Sequence, residues 1–100
     1  MEITNEAGVK KVVKEIFKKY GIYYFMPATH GYGKSGVPDF VACINGRFLA
    51  IETKYKKNIP TILQQRELQL IKSSGGVTMV VNEETIEAFR QLIMNVYECL

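Results

Sequence analysis

The dipeptide Asn45-Gly46 stands between two runs of β-forming residues, and it constrains the fold more than any other feature of the chain. The runs cover residues 39–44 and 47–54. A two-residue hairpin loop needs a positive φ at both of its positions, and asparagine followed by glycine meets that need best. We therefore predict a β-hairpin with its turn at these two residues.

The turn also fixes the register of the hairpin. With a two-residue loop, Ile44 faces Arg47, and the pairing continues until Asp39 lies directly opposite Glu52. Since side chains alternate along a strand, Lys54 points from the same face as both carboxylates. Directly opposed Cβ atoms are roughly 4.5–5.5 Å apart, and like charges at that distance are destabilising. A divalent cation between the two carboxylates would reverse the sign of that interaction.

Two carboxylates and a lysine on one face predict a site for phosphodiester hydrolysis. Mg²⁺ is commonly held by one or two carboxylates, lowers the pKa of bound water and polarises a phosphate. Lys54 would position or activate the attacking water and offset developing negative charge. The alternative is a solvent-exposed sheet end, where Asp39 begins a strand and Glu52 pairs with Lys54 or Lys56.

The remaining segments predict helices and strands around this hairpin. Residues 5–20 show the apolar spacing of an amphipathic helix, and residues 22–26 form a short strand. Residues 61–72 read as a helix, and the apolar run 77–81 is typical of a buried strand. Asn82 is expected to cap a last helix. The predicted order is α-β-β-β-α-β-α, an α/β fold with a mixed sheet flanked by helices.

Length and composition suit one globular domain spanning residues 1–100. No apolar run reaches the ~20 residues that a membrane span requires, and no signal peptide is recognisable. The net charge of +3 permits a polyanionic partner without demanding one, although lysines cluster in 10–19 and 54–57. Cys43 and Cys99 lie in apolar contexts and are interpreted as reduced and structural, which suits a cytoplasmic setting.

A glycine-rich segment, residues 28–38, supplies the predicted substrate contacts. His30 is the sole histidine; it is either a surface residue or a substrate ligand. Tyr32 and Lys34 could contact phosphates from the same loop. We add Ser35 and Lys56 to the predicted substrate-binding residues.

Two polar residues point inward by helical periodicity. Glu6 lies on the apolar face of the first helix, where it either joins the site or interacts with the helix N-terminus. Gln64 lies on the apolar face of the second helix. It could form a capping box with Thr61, support the site, or do both.

Four short segments, taken in their order along the chain, resemble those of a known family. The superfamily pattern reads Pro38-Asp39 and then Glu52-Thr53-Lys54. The chain resembles the VRR-NUC domain, a branch of the PD-(D/E)XK nuclease superfamily found in stand-alone viral proteins and in larger DNA-repair enzymes. The resemblance covers about residues 5–82 and rests on segments 35–40, 46–54, 61–65 and 75–76.

The resemblance implies a restriction-endonuclease-like core and a bound Mg²⁺ or Mn²⁺. It gives Lys54 the water-activating role and Gln64 a supporting one, and it brings Glu6 to the metal. The implied metal ligands are Asp39, Glu52, the backbone carbonyl of Thr53, and Glu6. The implied catalytic residues are Asp39, Glu52, Lys54, Gln64 and Glu6.

The resemblance also implies a function and partners. Stand-alone members are similar to Holliday-junction resolvases, so we expect a homodimer that acts on branched DNA in the cytoplasm, which would be that of the host cell if the protein is viral. A two-fold dimer would match two symmetric cuts. Flaps, single strands or plain duplex are alternative substrates. A non-catalytic nucleic-acid-binding module, or a nuclease that needs a partner chain, are alternative functions.

Overall fold

The protein is described by a computed structural model over residues 2–28 and 35–98. Seven elements follow in the predicted α-β-β-β-α-β-α order. They are α1 (Glu6–Lys19), β1 (Tyr23–Phe25), β2 (Phe40–Ile44), β3 (Arg47–Thr53), α2 (Ile62–Ser73), β4 (Val77–Val81) and α3 (Ile86–Glu98). None of these helices, within the described ranges, has the length and apolar character needed to cross a bilayer.

The hairpin turn has the predicted conformation. Asn45 and Gly46 have φ angles of 53° and 76°, as a type I′ turn requires. Strands β2 and β3 pair from Ile44 opposite Arg47 to Phe40 opposite Ile51, so the predicted register is confirmed for these five pairs. Asp39 and Glu52 lie one position beyond the last of them. The Asn45 side chain also donates a 2.8 Å hydrogen bond from Nδ2 to the Val96 carbonyl in α3, which ties the turn to the last helix.

The four strands form one mixed sheet in the order β1-β2-β3-β4. The first three strands are antiparallel, and β4 runs parallel to β3. Strand β3 therefore has a partner on both sides. The prediction of a buried strand at 77–81 is wrong in part, because β4 lies at the sheet edge and only Val81 is buried.

Helices α1 and α3 cover one face of the sheet and form the core with it. Phe17 of α1 stacks on Tyr24 and packs edge-on against Phe40 and Phe89. The fully buried apolar side chains of this layer are Val9, Val13, Phe17, Phe40, Ile51, Val81 and Phe89. Their burial anchors β2 and β3, the two strands that carry the predicted site.

Helix α2 lies on the other face and covers it incompletely. Thr61 and Gln64 form the predicted capping box, with Thr61 N–H donating to Gln64 Oε1 at 2.8 Å. Its predicted apolar content does not form a second core, since no residue of α2 is fully buried and Leu63 and Leu70 are about half exposed.

Two further expectations are corrected. Helix α3 begins at Ile86, because Asn82 Oδ1 accepts from the N–H groups of Glu84 and Thr85 and so closes a turn before the helix. Cys43 is a free thiol, but it is exposed rather than buried, because its side chain points to the face that α2 leaves open. Cys99 lies outside the described residues.

Candidate active site

The Asp39 side chain links the two strands of the hairpin at the end opposite the turn. The strand ladder stops at Phe40 opposite Ile51, so Asp39 stands one residue before β2. Its Oδ2 accepts hydrogen bonds from Thr53 N–H at 2.9 Å and from Thr53 Oγ1 at 2.6 Å. The other carboxylate oxygen, Oδ1, lies 3.8 Å from the Lys10 ammonium.

Glu52 is a buried carboxyl in the central strand, next to Asp39. Its residue surface is only 1% exposed. Within the described part of the chain, no N–H, hydroxyl or amide group donates to Oε1 or Oε2. When Glu52 is protonated, it shares a hydrogen bond with the Asp39 carboxylate. An unsatisfied buried polar group costs about 1–3 kcal/mol, and a charged group costs more. A residue chosen only for stability would not be glutamate here.

The two neighbouring carboxyls titrate in opposite directions. Burial, reinforced by the adjacent Asp39 carboxylate, raises the pKa of Glu52 to about 8. Burial also opposes ionisation of Asp39. The neighbouring Glu52 side chain, the hydrogen bonds from Thr53 and the positive charge of Lys10 outweigh it and lower the pKa of Asp39. Opposed shifts in an acidic pair are typical of functional sites.

Three charged side chains surround this pair. The positive charge of Lys54 favours ionisation of Glu52, and the negative charge of Glu6 opposes it, so both lie within electrostatic reach. Lys10 Nζ lies 3.6 Å from Glu6 Oε2 and 3.8 Å from Asp39 Oδ1. Sequence reasoning missed Lys10; its position four residues after Glu6 was the available signal.

The donor set suits a hard divalent cation. Among the residues described, no group of three or more acidic, histidine or cysteine side chains could hold a metal ion. Glu6, a predicted ligand, therefore does not complete such a group, and the carboxyls that lie together are those of Asp39 and Glu52. Mg²⁺ is usually bound in this way, with waters completing an oxygen shell. Such an ion would bind the Glu52 oxygens, to which no described N–H, hydroxyl or amide group donates. Asp39 and Glu52 would hold it, with the Thr53 carbonyl and Glu6 as the further ligands that the resemblance implies.

Comparison with solved structures decides the fold family. One VRR-NUC domain superposes with a TM-score of 0.76 at 25% identity and covers 89% of this chain and 97% of its own. The chain has the fold of a VRR-NUC domain. A second VRR-NUC domain protein, with a TM-score of 0.73 and 18% identity, covers 95% of this chain and 92% of its own. No protein-family model matches the sequence, and no curated protein matches it significantly.

In this VRR-NUC fold, Gln64 sits beside the segment that leads to Asp39. A Cβ on Gly36 would lie 2.5 Å from the backbone carbon of Leu63 and 2.8 Å from Gln64 N, so the two backbones are in direct contact. The Gln64 amide oxygen is used in the capping box. Its amide nitrogen is the atom that a supporting role would use.

The predicted substrate contacts are only partly described. Ser35 is exposed in the turn before Asp39, and Lys56 is exposed two residues after Lys54. His30, Tyr32 and Lys34 lie outside the described residues. Lys56 has a positive φ of 57°, and its N–H donates to both oxygens of Glu83. No sequence signal connected Lys56 with Glu83, because the contact is long-range.

Proposed function

We propose that the chain is a metal-dependent endonuclease that hydrolyses phosphodiester bonds in DNA, with four-way junctions as its substrate. The observation that carries this proposal is the buried Glu52 carboxyl, to which no N–H, hydroxyl or amide group among the described residues donates a hydrogen bond. It stands beside Asp39, whose pKa is lowered. This pair supports cation binding better than it supports a purely structural role.

Each residue of the site has a distinct part in the proposed reaction. Asp39, oriented by its two bonds from Thr53, supplies a fixed ionised carboxylate. Glu52 supplies a second carboxylate from the rigid central strand. Lys54, within electrostatic reach of Glu52, orients the attacking water and offsets charge that develops on the phosphate. A bound Mg²⁺ or Mn²⁺ supplies Lewis-acid polarisation of the scissile phosphate.

Cleavage of a labelled four-way junction in Mg²⁺ tests this function. The parent protein should cleave the junction, and Asp39→Ala should reduce the rate by about a hundredfold or more, as loss of a metal ligand or electrostatic group does. Asn45→Gly is a matched control, because it changes the same hairpin while keeping a positive φ available at the turn. Equal cleavage by the parent and by Asp39→Ala would sink the proposal.

A panel of labelled DNAs separates the substrate alternatives. Flaps, single strands and plain duplex are tested beside the junction at equal concentrations. If any of these DNAs is cleaved faster than the junction, the proposed nuclease activity stands and that DNA becomes the proposed substrate. A dependence of cleavage on added host or viral protein would indicate a partner chain.

The alternative from another class is a non-catalytic nucleic-acid-binding module. The basic surface of α1 favours it, since Lys11, Lys18 and Lys19 are exposed. Titration calorimetry with Mn²⁺ distinguishes the two functions. Absence of Mn²⁺ binding together with strongly salt-dependent DNA affinity would favour the module.

We further propose that the active form is a homodimer. Strand β1 is an edge strand, and the segment 22–27 that contains it has no charged residue. Tyr23 is 71% exposed and Phe25 is 49% exposed. An isologous interface must be complementary to itself, so an uncharged aromatic edge suits a second copy of this basic chain.

A further inference from the structure

A tight turn follows the candidate active site, and we call residues 55–58 the basic turn. The Asn58 N–H donates to the Tyr55 carbonyl at 3.3 Å, which makes Lys56 and Lys57 the two central residues. Both lysines are exposed. The turn begins directly after Lys54, so its two lysines are close in the chain to the candidate active site.

The backbone of the basic turn is held in an unfavourable conformation. Lys56 has a φ of 57°, in the left-handed region that a residue with a Cβ rarely adopts. Strained backbone conformations of this kind persist only where the surrounding structure holds them, and they are concentrated at functional sites. A turn with no role beyond connecting two elements would be better served by glycine or asparagine at this position.

Glu83 is the residue that holds Lys56 in place. The Lys56 N–H donates to Glu83 Oε1 at 2.9 Å and to Glu83 Oε2 at 3.1 Å. Glu83 belongs to the turn between β4 and α3, which Asn82 closes. The basic turn is thus tied to a distant part of the chain that is itself well ordered by hydrogen bonds.

A second tie lies one residue before the basic turn. The Lys54 N–H donates to the Val81 carbonyl at 3.0 Å. The last residue of β4 therefore fixes the Lys54 backbone, and Glu83, two residues later, fixes the Lys56 backbone. The Glu83 carboxylate acts on the Lys56 backbone. The Lys56 ammonium lies instead 5.5 Å from the centre of the Tyr55 ring. Tyr55, Lys56, Lys57 and Asn58 line a groove at this turn.

A carboxylate beside a phosphate-binding surface is electrostatically unfavourable. Glu83 and Glu84 line the same groove as the lysines, and both would repel a nucleic acid. If charge alone mattered, removing either glutamate would tighten binding. Glu83, however, also holds the Lys56 backbone, and losing that contact should weaken DNA binding. Whether removal of Glu83 raises or lowers the affinity for DNA therefore shows which of the two effects is larger.

We propose that Glu83 is a positioning residue, which presets the basic turn so that Lys56 and Lys57 contact the phosphate backbone of DNA. This inference rests on the proposed nuclease function, because it takes DNA as the ligand. It goes beyond that function by assigning DNA contacts to Lys57 as well as Lys56, and by assigning to Glu83 the role of holding their turn. Glu83 itself touches neither the phosphate nor the reacting atoms.

The test compares Glu83→Ala with Glu84→Ala, two variants that remove the same charge from adjacent positions. Affinity for a fluorescently labelled four-way DNA junction is measured by anisotropy in EDTA, over a series of salt concentrations. Glu84→Ala should bind as tightly as the parent or up to about twofold more tightly. Glu83→Ala should bind about fivefold or more weakly, and Lys56→Ala and Lys57→Ala should each reduce the salt slope by about 1.

Two further variants separate positioning from a loss of folding. Glu83→Gln keeps an oxygen for the Lys56 N–H and should restore most of the affinity. In a Lys56→Ala, Lys57→Ala background, Glu83→Ala should cause no further weakening, because the ammonium groups through which it acts are absent. Persistence of the weakening there would indicate general destabilisation and overturn the proposal.

Cleavage kinetics give an independent readout. Glu83→Ala should raise KM while leaving kcat unchanged, because Asp39, Glu52 and Lys54 are unaltered. Binding by Glu83→Ala that equals binding by Glu84→Ala would overturn this inference and leave the nuclease intact. A parent protein that binds no DNA would overturn both.

Discussion

Glu52 makes the stability of the protein depend on pH in an unusual direction. The pKa of Glu52 is about 8 in the folded protein and near the ordinary value of 4.5 when unfolded. The folded state therefore binds an extra proton between these values, and stability falls as pH rises from about 4.5 to about 8. Urea denaturation in EDTA at a series of pH values should show this fall.

The Glu52→Gln variant is the control for that measurement. It keeps the shape of the side chain but cannot ionise, so its stability should stay nearly flat from about pH 5 to about pH 8. Asp39 affects the pH dependence of stability in the opposite direction, because its pKa is lowered in the folded protein. Its stabilising contribution is present at neutral pH and is lost only as pH falls into the acid range. Parallel curves for the parent and for Glu52→Gln would contradict the assignment.

Lys10 lies where it competes with a bound cation. Its ammonium is 3.8 Å from Asp39 Oδ1, at a partly exposed position where an ion pair is worth about 0–1 kcal/mol. Lys10→Met should therefore raise the affinity for Mn²⁺ by up to about fivefold in titration calorimetry. Lys11→Met, at an exposed position on the same helix, should leave it unchanged. Weaker Mn²⁺ binding by Lys10→Met would refute this role.

The site residues that sequence reasoning identified are those joined by local geometry. Asp39 and Glu52 could be placed together because a single turn, at Asn45 and Gly46, fixes the register between them. Lys10 and Glu83 could not be found in this way. Their contacts depend on how a helix and a distant turn pack against the hairpin. The i, i+4 spacing of Glu6 and Lys10 predicts an ion pair within α1, but it does not predict the contact of Lys10 with Asp39.

At the scale of elements, two glycines with similar φ angles should respond differently to substitution. A Cβ on Gly46 would meet open space, whereas a Cβ on Gly36 would lie 2.5 Å from the backbone of α2. Gly46→Ala should lower the free energy of unfolding by about 1 kcal/mol, because alanine is strained at the positive φ of this position. Gly36→Ala should cost about 2–4 kcal/mol, because a backbone clash adds to the same strain.

Denaturant unfolding of both variants checks this difference. A larger loss of stability in Gly46→Ala would show that α2 does not press on the segment before Asp39. Cleavage activity is a second readout. Gly36→Ala should also reduce the rate, since Gly36 leads directly to Asp39, whereas Gly46 lies at the far end of the hairpin.

The helices and strands themselves were largely predictable, but their burial was not. The capping box at Thr61 and Gln64 is a local signal, and it marked the start of α2 correctly. The exposure of Leu63 and Leu70 depends on how much of the sheet α2 covers. Likewise, the apolar run in β4 indicated a strand, but its place at the sheet edge depends on topology.

At the scale of the whole molecule, β1 is the expected contact between two copies. Tyr23→Lys with Phe25→Lys should shift the protein from dimer to monomer in analytical ultracentrifugation, because like charges would then face each other across the two-fold axis. Ile59→Lys is the matched control, since Ile59 is 73% exposed and lies outside β1. A monomeric parent, or a dimer that survives the double substitution, would contradict this surface.

The position of the acidic pair at the open end of the hairpin has a consequence for folding kinetics. A hairpin that zips from its turn reaches Asp39 and Glu52 last, after its apolar rungs have closed. We expect Gly46→Ala to slow folding, whereas Asp39→Asn and Glu52→Gln should change mainly the unfolding rate. Stopped-flow refolding measures both rates. The two acidic side chains would then meet only after the strands that carry them have paired.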